Sequence, residues 1–212
     1  FIMKNTTPIE VVNYPVRTLE QQAFDLDLDY DFNFVTVAQM GPRKNMDNTI
    51  KWFIEEFHDD EVGLILKTNM ANCSTMDRFV CTERLQQLLK QFPDRKCKIY
   101  LLHGDLTLEE MNYLYAHPKV KSYITLTHGE GFGIPIFEAA YYGLPIAAPD
   151  WSGYLDFLYK PSKQKNGKIK NKHMFSKISY VLQHVEKEAV WEGIIQKDSM
   201  WAFPEEGSIK MA

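Results

Sequence analysis

Short apolar runs that alternate with helical patterns constrain the fold of this chain more than any other feature. The runs are strand-like in length and rich in β-branched and aliphatic residues, and they lie at 32–38, 62–66, 98–102, 123–126 and 145–148. Helical patterns fill the intervals at 48–57, 75–91, 108–115 and 135–142. Thr107 and Glu110 have the spacing of a capping box before the third helix. This alternation predicts an α/β fold, a Rossmann-like parallel sheet with helices on both faces.

The composition is that of an ordinary soluble globular chain. The 212 residues, 45% hydrophobic and 25% charged, are enough for a large core, and we interpret 1–212 as a single domain. An apolar stretch at 9–12 begins almost at once. Ser208 has the pattern of a helix N-cap with no helix body after it. We interpret both features as signs of a domain excised from a longer protein.

Charge and cysteine content exclude some classes of function and location. A net charge of −4 gives no general attraction to nucleic acid, so we expect no nucleic-acid partner. Cys73, Cys81 and Cys97 are odd in number and lack metal-finger spacing, which favours a reducing compartment. No run approaches the roughly 20 apolar residues that cross a bilayer, and the start at 1–4 is no signal peptide. A cytoplasmic protein is therefore expected.

Lysines are concentrated in the segment 160–172, on both sides of Asn166 and Gly167. They occupy positions 160, 163, 165, 168, 170 and 172. We interpret this segment as a solvated, mobile loop, because a run of like charges usually marks a solvated surface. Contact with the anionic head groups of a membrane surface is the minority interpretation.

Polar and glycine residues collect where the predicted strands end. These strand ends lead into 39–44, Lys67, 103–105, 127–130 and 150–153. Ligands of open α/β sheets bind beyond the carboxyl ends of the strands, so this rim is the predicted binding site. His103 and His128 lie on it, but a lone histidine there is as often structural as an acid or base, and we assign them no chemistry.

One segment of the rim has a pattern specific enough to indicate a ligand. Glu130 and Glu138 are separated by Gly131-Phe132-Gly133-Ile134-Pro135-Ile136-Phe137. The glycines suit a tight turn or a close backbone approach, and Pro135 is favoured at the first position of a helix. A helix that starts there presents free N–H groups to an anion. Two carboxylates beside such a site predict a ligand with both phosphate and hydroxyl groups, as in a nucleotide sugar.

The segment 130–146 reads EGFGIPIFEAAYYGLPI and resembles the E-x7-E motif of the retaining glycosyltransferases of family 4, or group 1. In that family the motif stands in the context EGFGxPxxEAxxxGxPV. The resemblance extends over 32–158, and 35–45 is similar to the family's strand and turn that end in lysine and often asparagine. It implies the C-terminal, donor-binding half of a two-Rossmann-domain GT-B enzyme. The N-terminal acceptor domain would then be missing, and we expect the isolated chain not to turn over acceptor.

The resemblance also implies a role for each matching residue. Lys44 would contact the donor diphosphate and stabilise the leaving group, and Glu130 would bind the donor sugar, so these two are the candidate catalytic residues. Glu138 would bind the ribose hydroxyls. The backbone that would hold sugar and phosphate is that of Gly131, Phe132 and Gly133. Lysine, arginine and the helix N-terminus do in this family what a metal does elsewhere, so neither a metal nor another cofactor is expected.

Gln39 departs from the family pattern, which has an arginine at this position. Glutamine can hydrogen-bond a phosphate but brings no charge. Arg43 or Lys67 could supply the missing positive group, and both join Gln39 in the predicted donor site. For Arg43 an exposed charge that flanks the helix is the slightly preferred alternative. Lys67 ends a buried strand and needs either solvent or an anion.

The function implied is transfer of a sugar, of the hexosyltransferase type, from a nucleoside diphosphate with retention of configuration, as in polysaccharide biosynthesis. The expected partners are a nucleotide-sugar donor and a glycan, lipid or protein acceptor. Two alternatives stay open. One is a nucleotide-sugar epimerase of the same architecture. The other is a non-catalytic sugar-nucleotide-binding or scaffold module, which Gln39 favours and the intact Lys44, Glu130 and Glu138 count against.

Overall fold

The computed structural model describes residues 7, 8, 10, 12, 14, 15 and 20–212. The interpretation of 1–4, and positions 9 and 11 of the apolar stretch at 9–12, lie outside the described residues. The strands are β1 (Asn33–Val37), β2 (Gly63–Lys67), β3 (Lys98–Leu102), β4 (Val120–Ile124), β5 (Ile146–Pro149), β6 (Tyr159–Lys163), β7 (Ile169–His173), β8 (Ser176–Ile178), β9 (Tyr180–His184) and β10 (Met200–Pro204). The helices are α1 (Met46–Glu56), α2 (Thr75–Leu89), α3 (Leu108–Ala116), α4 (Ile134–Tyr141), α5 (Leu155–Leu158) and α6 (Glu206–Ile209).

Six parallel strands form the central sheet, in the order β3-β2-β1-β4-β5-β8. Two clusters of buried side chains cover it. Neighbouring residues of β2 divide between them, since Leu64 and Leu66 belong to the cluster with α1 and α2, and Ile65 to the cluster with α3 and α4. Successive side chains of a strand point to opposite faces, so helices lie on both faces. The predicted Rossmann-like α/β fold is confirmed.

The sheet reverses its order between β1 and β4, and there the two strands separate. The last paired residues of the two strands are Val35 and Tyr123, although β1 continues to Val37. Beyond that point the hydroxyl of Tyr123 bonds the backbone of Val37, at 3.3 Å from the carbonyl oxygen. In doubly wound sheets the crevice at such a reversal is where ligands bind.

Most predicted elements agree with the structure to within a few residues, and the capping box of α3 is confirmed. The hydroxyl of Thr107 accepts from Glu110 N, and the Glu110 carboxylate accepts from Thr107 N. The largest difference is in the fourth strand, which was predicted at 123–126 and lies at Val120–Ile124. Polar residues open this strand, and one of them, Ser122, finds a partner in Pro145 O at 3.0 Å.

Two interpretations of the C-terminal third are wrong. The segment 160–172 forms most of a β-hairpin, with β6 and β7 paired antiparallel, instead of a mobile loop. Ser208 lies inside α6 instead of capping it, and its hydroxyl accepts a hydrogen bond from Ser179 N at 2.8 Å. A second antiparallel pair, β9 with β10, follows the sheet. Within the described ranges, no helix combines the length and apolar content needed to cross a bilayer.

Candidate functional site

The loops that follow β1 and β4 meet at the reversal of the sheet. The first loop makes a 3-10 turn at Pro42–Lys44 and ends on Asn45, whose φ of 52° lies in the left-handed region. Hydrogen bonds tie it to the second loop: Asn45 Nδ2 donates to Leu126 O at 3.1 Å, and His128 N donates to Arg43 O at 2.8 Å. These bonds fix the side chains of the first loop relative to those of the second.

Lys44, Arg43 and Glu130 come together across this junction. Lys44 Nζ lies 2.5 Å from Glu130 Oε1, and Arg43 lies 3.1 Å from Glu130 Oε2 and also donates to Gly129 O. Thr127 Oγ1 adds a hydrogen bond to Glu130 Oε1 at 3.0 Å. The side chains of Lys44 and Glu130 are 18% and 13% exposed, so this ion pair is largely shielded from solvent.

The cluster holds Glu130 ionised and keeps an excess of positive charge. Burial by itself raises the pKa of a carboxyl group, but the hydrogen bonds and charges of Lys44 and Arg43 outweigh it and lower the pKa of Glu130. Two cations against one carboxylate leave one net positive charge at the crevice. An anionic group of a ligand would complete the neutralisation.

The backbone of Glu130 is clamped from the turn that follows β5. Ser152 Oγ lies 2.5 Å from both Glu130 N and Glu130 O, and Gly153 N donates to Glu130 O at 3.1 Å. A Cβ on Gly153 would lie 1.9 Å from Gly131 O, so only glycine fits there. The sequence placed Ser152 and Gly153 on the rim, but a contact across 22 residues leaves no local signal.

The start of α4 closes the other side of the crevice. Gly133 is its N-cap and has a φ of 85°, a conformation that suits glycine. Pro135 is the second helical residue, whereas the sequence predicted it at the first position. The first intrahelical bond runs from Phe137 N to Gly133 O, so the N–H groups of the preceding turn have no intrahelical acceptor. The ring of Phe132 packs on Phe137, with centroids 5.3 Å apart, and shapes this loop.

Glu138 lies one turn into α4, as predicted, and its surroundings differ from those of Glu130. Tyr115 Oη, from α3, donates to Glu138 Oε2 at 3.3 Å. In the part of the chain that the structure describes, no salt bridge to Glu138 is found. Burial raises the pKa of Glu138, against a smaller lowering by the tyrosine hydrogen bond.

The remaining predicted site residues differ in whether they reach the Glu130 cluster. Arg43 is 42% exposed, as expected for a charge that flanks the helix, and it also bonds Glu130 and Gly129. Lys67 Nζ donates to Gly104 O at 2.5 Å, in the turn after β3, and does not contact Glu130. Gln39 is exposed in the loop after β1. The structure thus brings Arg43 to the crevice cluster and gives Lys67 a backbone partner instead.

The two histidines of the rim are structural. His128 is buried, its Nδ1 lies 2.8 Å from Ala202 O, and burial lowers its pKa. His103 Nε2 lies 2.8 Å from Asp77 Oδ1. That carboxylate also accepts from three successive backbone N–H groups, those of Met70, Ala71 and Asn72.

Asp77 and His103 are close enough to Cys81 to resemble a set of metal ligands. Both oxygens of Asp77 are already occupied by hydrogen bonds, and Cys81 has a pKa raised to about 11 by burial and by Asp77, which keeps it a thiol. Metal binding would need the thiolate and the release of those bonds. The group therefore fixes the loop after β2, a role that the sequence reading missed.

No protein-family model matches the sequence, and no curated protein sequence matches it significantly. Solved structures do resemble it. One is the C-terminal domain of a group 1 family glycosyl transferase (LpcC) from Francisella tularensis, with 18% identity, a TM-score of 0.42, and 56% of this chain and 57% of that one covered. Another is HepE (Alr3699) from Anabaena, solved in complex with UDP and glucose, with 16% identity, a TM-score of 0.46, and coverage of 62% and 33%.

A third is the catalytic domain of cholesterol-α-glucosyltransferase from Helicobacter pylori, with 16% identity, a TM-score of 0.43, and coverage of 65% and 75%. The chain thus matches little more than half of the Francisella domain and a third of the Anabaena chain. These likenesses are partial and extend to the fold alone.

Proposed function

We propose that this chain binds the nucleoside-diphosphate-sugar donor of a retaining glycosyltransferase and forms the donor-binding half of a GT-B enzyme. The observation that carries the proposal is the cluster of Lys44, Arg43 and Glu130 at the sheet reversal, in front of the glycine-rich start of α4. The E-x7-E pattern of 130–146 supports the same function.

The cluster suits the diphosphate of such a donor. Lys44 offers a compact charge with three donors, and Arg43 offers a planar fork that can engage phosphate oxygens in pairs. Their attachment to Glu130 keeps both side chains at the crevice before a ligand arrives. The free N–H groups at the start of α4 add a favourable field for the same anion.

The two carboxylates suit the two hydroxyl-bearing parts of the donor. Glu130 is ionised, and an ionised carboxylate accepts hydrogen bonds from sugar hydroxyls through both oxygens. Glu138 has a tyrosine donor but no cation within the described residues, so its oxygens retain capacity for the adjacent hydroxyls of a ribose. Glu138 lies one helical turn beyond the loop that carries Glu130, so the two carboxylates can contact different parts of the ligand.

The chemical step breaks the bond between the anomeric carbon and the diphosphate and forms one to an acceptor oxygen. Negative charge grows on the departing diphosphate, and fixed donors aimed at that charge contribute most to the rate. Lys44 and Arg43 would serve in this role without a metal ion. The acceptor, a glycan, lipid or protein, has to be positioned against the anomeric carbon by a second domain, so the isolated chain should not transfer sugar to it.

A binding panel tests the proposal. Titration calorimetry of the 212-residue chain with UDP, GDP, ADP and their glucose esters, all in EDTA, should give a response to one nucleoside diphosphate and to its sugar. Lys51→Ala is the matched control, because Lys51 lies on the nearby helix α1 with its own partner Glu55 and should bind like the parent. Absence of binding at millimolar concentration for every ligand would overturn the proposal and favour a non-catalytic scaffold module instead.

A further inference from the structure

The hairpin of β6 and β7 carries its lysines on one face. Cross-strand partners in an antiparallel pair lie on the same face, and successive pairs alternate between faces. Lys160 is opposite Lys172, and the next pair on the same face is Ser162 with Lys170. Gln164 N donates to Lys168 O at 2.8 Å, which places Lys168 at the following position of that face. Four lysines therefore share one face of the ribbon, which we call the lysine face: Lys160, Lys168, Lys170 and Lys172.

The opposite face of the ribbon is the one that attaches to the domain. Tyr159 belongs to it and packs against Phe175, with ring centroids 5.8 Å apart. The hydroxyl of Tyr159 donates to Asp150 at 2.7 Å, and Met174 N donates to Leu158 O at 2.8 Å. These contacts hold the base of the hairpin and leave the lysine face outward, where all four of its lysines are exposed.

The lysine face has no neutralising partner among the described residues. None of the salt bridges in that part of the chain involves its four lysines. Lys160 and Lys172 stand directly opposite each other, an arrangement that destabilises a strand pair because like charges repel. Lysines two apart on a strand lie roughly 7 Å from each other, so the face is a regular row of cations. A regular row of unpaired cations is suited to an extended anionic surface.

We propose that this hairpin docks the protein on anionic phospholipid head groups. Clusters of four to eight basic residues bind such surfaces by diffuse attraction, for which the hydrated point charge of lysine is sufficient. Ile169, opposite Lys163 at the tip of the hairpin, lies on the other face of the ribbon, so the attraction comes from the lysines alone. Gly167, with a φ of 80°, closes the turn that presents this tip.

A nucleic acid fits the same hairpin less well. Proteins that bind single strands add aromatic side chains on which the bases stack, and the lysine face has none. The chain as a whole has a net charge of −4, which repels a polyanion that extends past the ribbon. A planar lipid surface needs to meet only the hairpin.

Vesicle sedimentation with the whole chain tests the proposal. Vesicles of phosphatidylcholine with about one third phosphatidylserine should bind the chain at low salt, and phosphatidylcholine alone should not. Each lysine removed should weaken binding about fivefold, so the variant Lys160→Gln/Lys168→Gln/Lys170→Gln/Lys172→Gln should lose measurable binding. The matched control removes the same charge from exposed lysines elsewhere, as Lys90→Gln/Lys121→Gln/Lys187→Gln/Lys197→Gln, and should retain most of it.

Two further measurements separate this proposal from its rivals. Thermal unfolding of the lysine-face variant should occur no lower than that of the parent, since the change removes like-charge repulsion. Ile169→Gln, a change on the other face of the ribbon, should leave vesicle binding like that of the parent. Equal binding to both kinds of vesicle, unchanged binding by the lysine-face variant, or tighter binding of a DNA or RNA oligonucleotide than of anionic vesicles at the same salt would each overturn lipid docking.

Discussion

Glu130 and Glu138 flank the same glycine-rich loop, yet their surroundings differ in kind. Glu130 is gripped by Lys44 and Arg43 and clamped at its backbone by Ser152, and its pKa is lowered. Glu138 is offered a single hydrogen bond by Tyr115, and burial raises its pKa. Burial acts on both carboxylates in the same direction. The difference therefore comes from the cations alone.

The two carboxylates are therefore prepared for a ligand in different ways. The Glu130 region is ordered and charged before a ligand binds. Its carboxylate, however, already accepts hydrogen bonds from Lys44 and Arg43. The Glu138 region keeps acceptor capacity, but its ionised form is penalised until hydroxyl donors arrive. A ligand with a diphosphate at one end and a ribose diol at the other would relieve both conditions.

Lys44→Ala should produce the largest effect. It removes the more buried of the two cations and leaves Glu130 with Arg43 alone, so the crevice loses its net positive charge. We expect nucleoside diphosphate binding to weaken by about a hundredfold or more, beyond detection by calorimetry. Lys51→Ala should change it little. Binding within threefold of the parent would remove Lys44 from the donor site.

Single carboxylate variants should separate the two regions by ligand. Glu138→Ala should weaken binding of nucleotide and nucleotide sugar alike, by about tenfold to a hundredfold, because a charge-assisted hydrogen bond is lost. Glu130→Ala should weaken binding of the sugar-bearing ligand more than that of the nucleotide, because the nucleotide loses only the positioning of Lys44 and Arg43 by Glu130. Calorimetry with both ligands measures the two losses, and Glu83→Ala, on the exposed side of α2, is the control. Equal losses for both variants would reject the division.

The opposite pKa directions predict opposite effects on stability. A lowered pKa means that Glu130 stabilises the fold above its usual pKa of 4.5, and that this stabilisation is lost as pH falls through the folded-state pKa. A raised pKa means that Glu138 favours the fold most in acid, and that this contribution is lost as pH rises through its folded-state pKa. Glu130→Gln should therefore lower the free energy of unfolding at neutral pH, by roughly 1–3 kcal/mol.

Glu138→Gln should have the reverse and smaller effect, a gain in stability at neutral pH that vanishes in acid. Urea unfolding at about pH 4 and about pH 7.5 measures Glu138→Gln on either side of its range, and measurements continued to about pH 2 follow the loss for Glu130. A neutral-pH loss for Glu138→Gln would show that its tyrosine hydrogen bond outweighs burial. In that case the two regions would differ in degree and not in kind.

Much of the doubly wound sheet could be predicted because each strand and helix up to α4 has its own local pattern. The fourth strand was displaced because its first residues, such as Lys121, are polar, while the apolar stretch continues past the end of the ladder at Ile124. The hairpin was missed because six lysines suggested solvation, although Asn166 and Gly167 form a common turn signal. Its strands depend on docking of Tyr159 to Phe175, a tertiary contact.

The site was predictable to the extent that it is encoded in one motif. The motif located Glu130, Glu138 and the start of α4, and a second short pattern located Lys44. It could not show that Arg43 reaches Glu130, because that contact joins residues 87 apart through the geometry of the sheet reversal. For the same reason the clamp by Ser152 became visible only in the structure. The ligand roles of these residues stay predictions.

Gln39→Arg should produce a small gain in the affinity for the diphosphate. An arginine in this exposed position of the same loop adds a fork for phosphate oxygens on the Glu130 side of the site. We expect nucleoside diphosphate to bind roughly three- to tenfold more tightly, with a gain that shrinks as salt is raised, since part of it is screened attraction. Gln39→Ala should change little, which makes it the control.

The same substitution can test whether Arg43 has taken over the missing charge. Arg43→Ala should weaken diphosphate binding, and Arg43→Ala/Gln39→Arg should recover part of the loss if the two positions serve one phosphate. Calorimetry at two salt concentrations measures the recovery and its screening. No recovery, together with weaker binding for Gln39→Arg alone, would mean that the loop is arranged around glutamine. The correspondence with the family's arginine would then fail at this position, while the contrast between Glu130 and Glu138 would still hold.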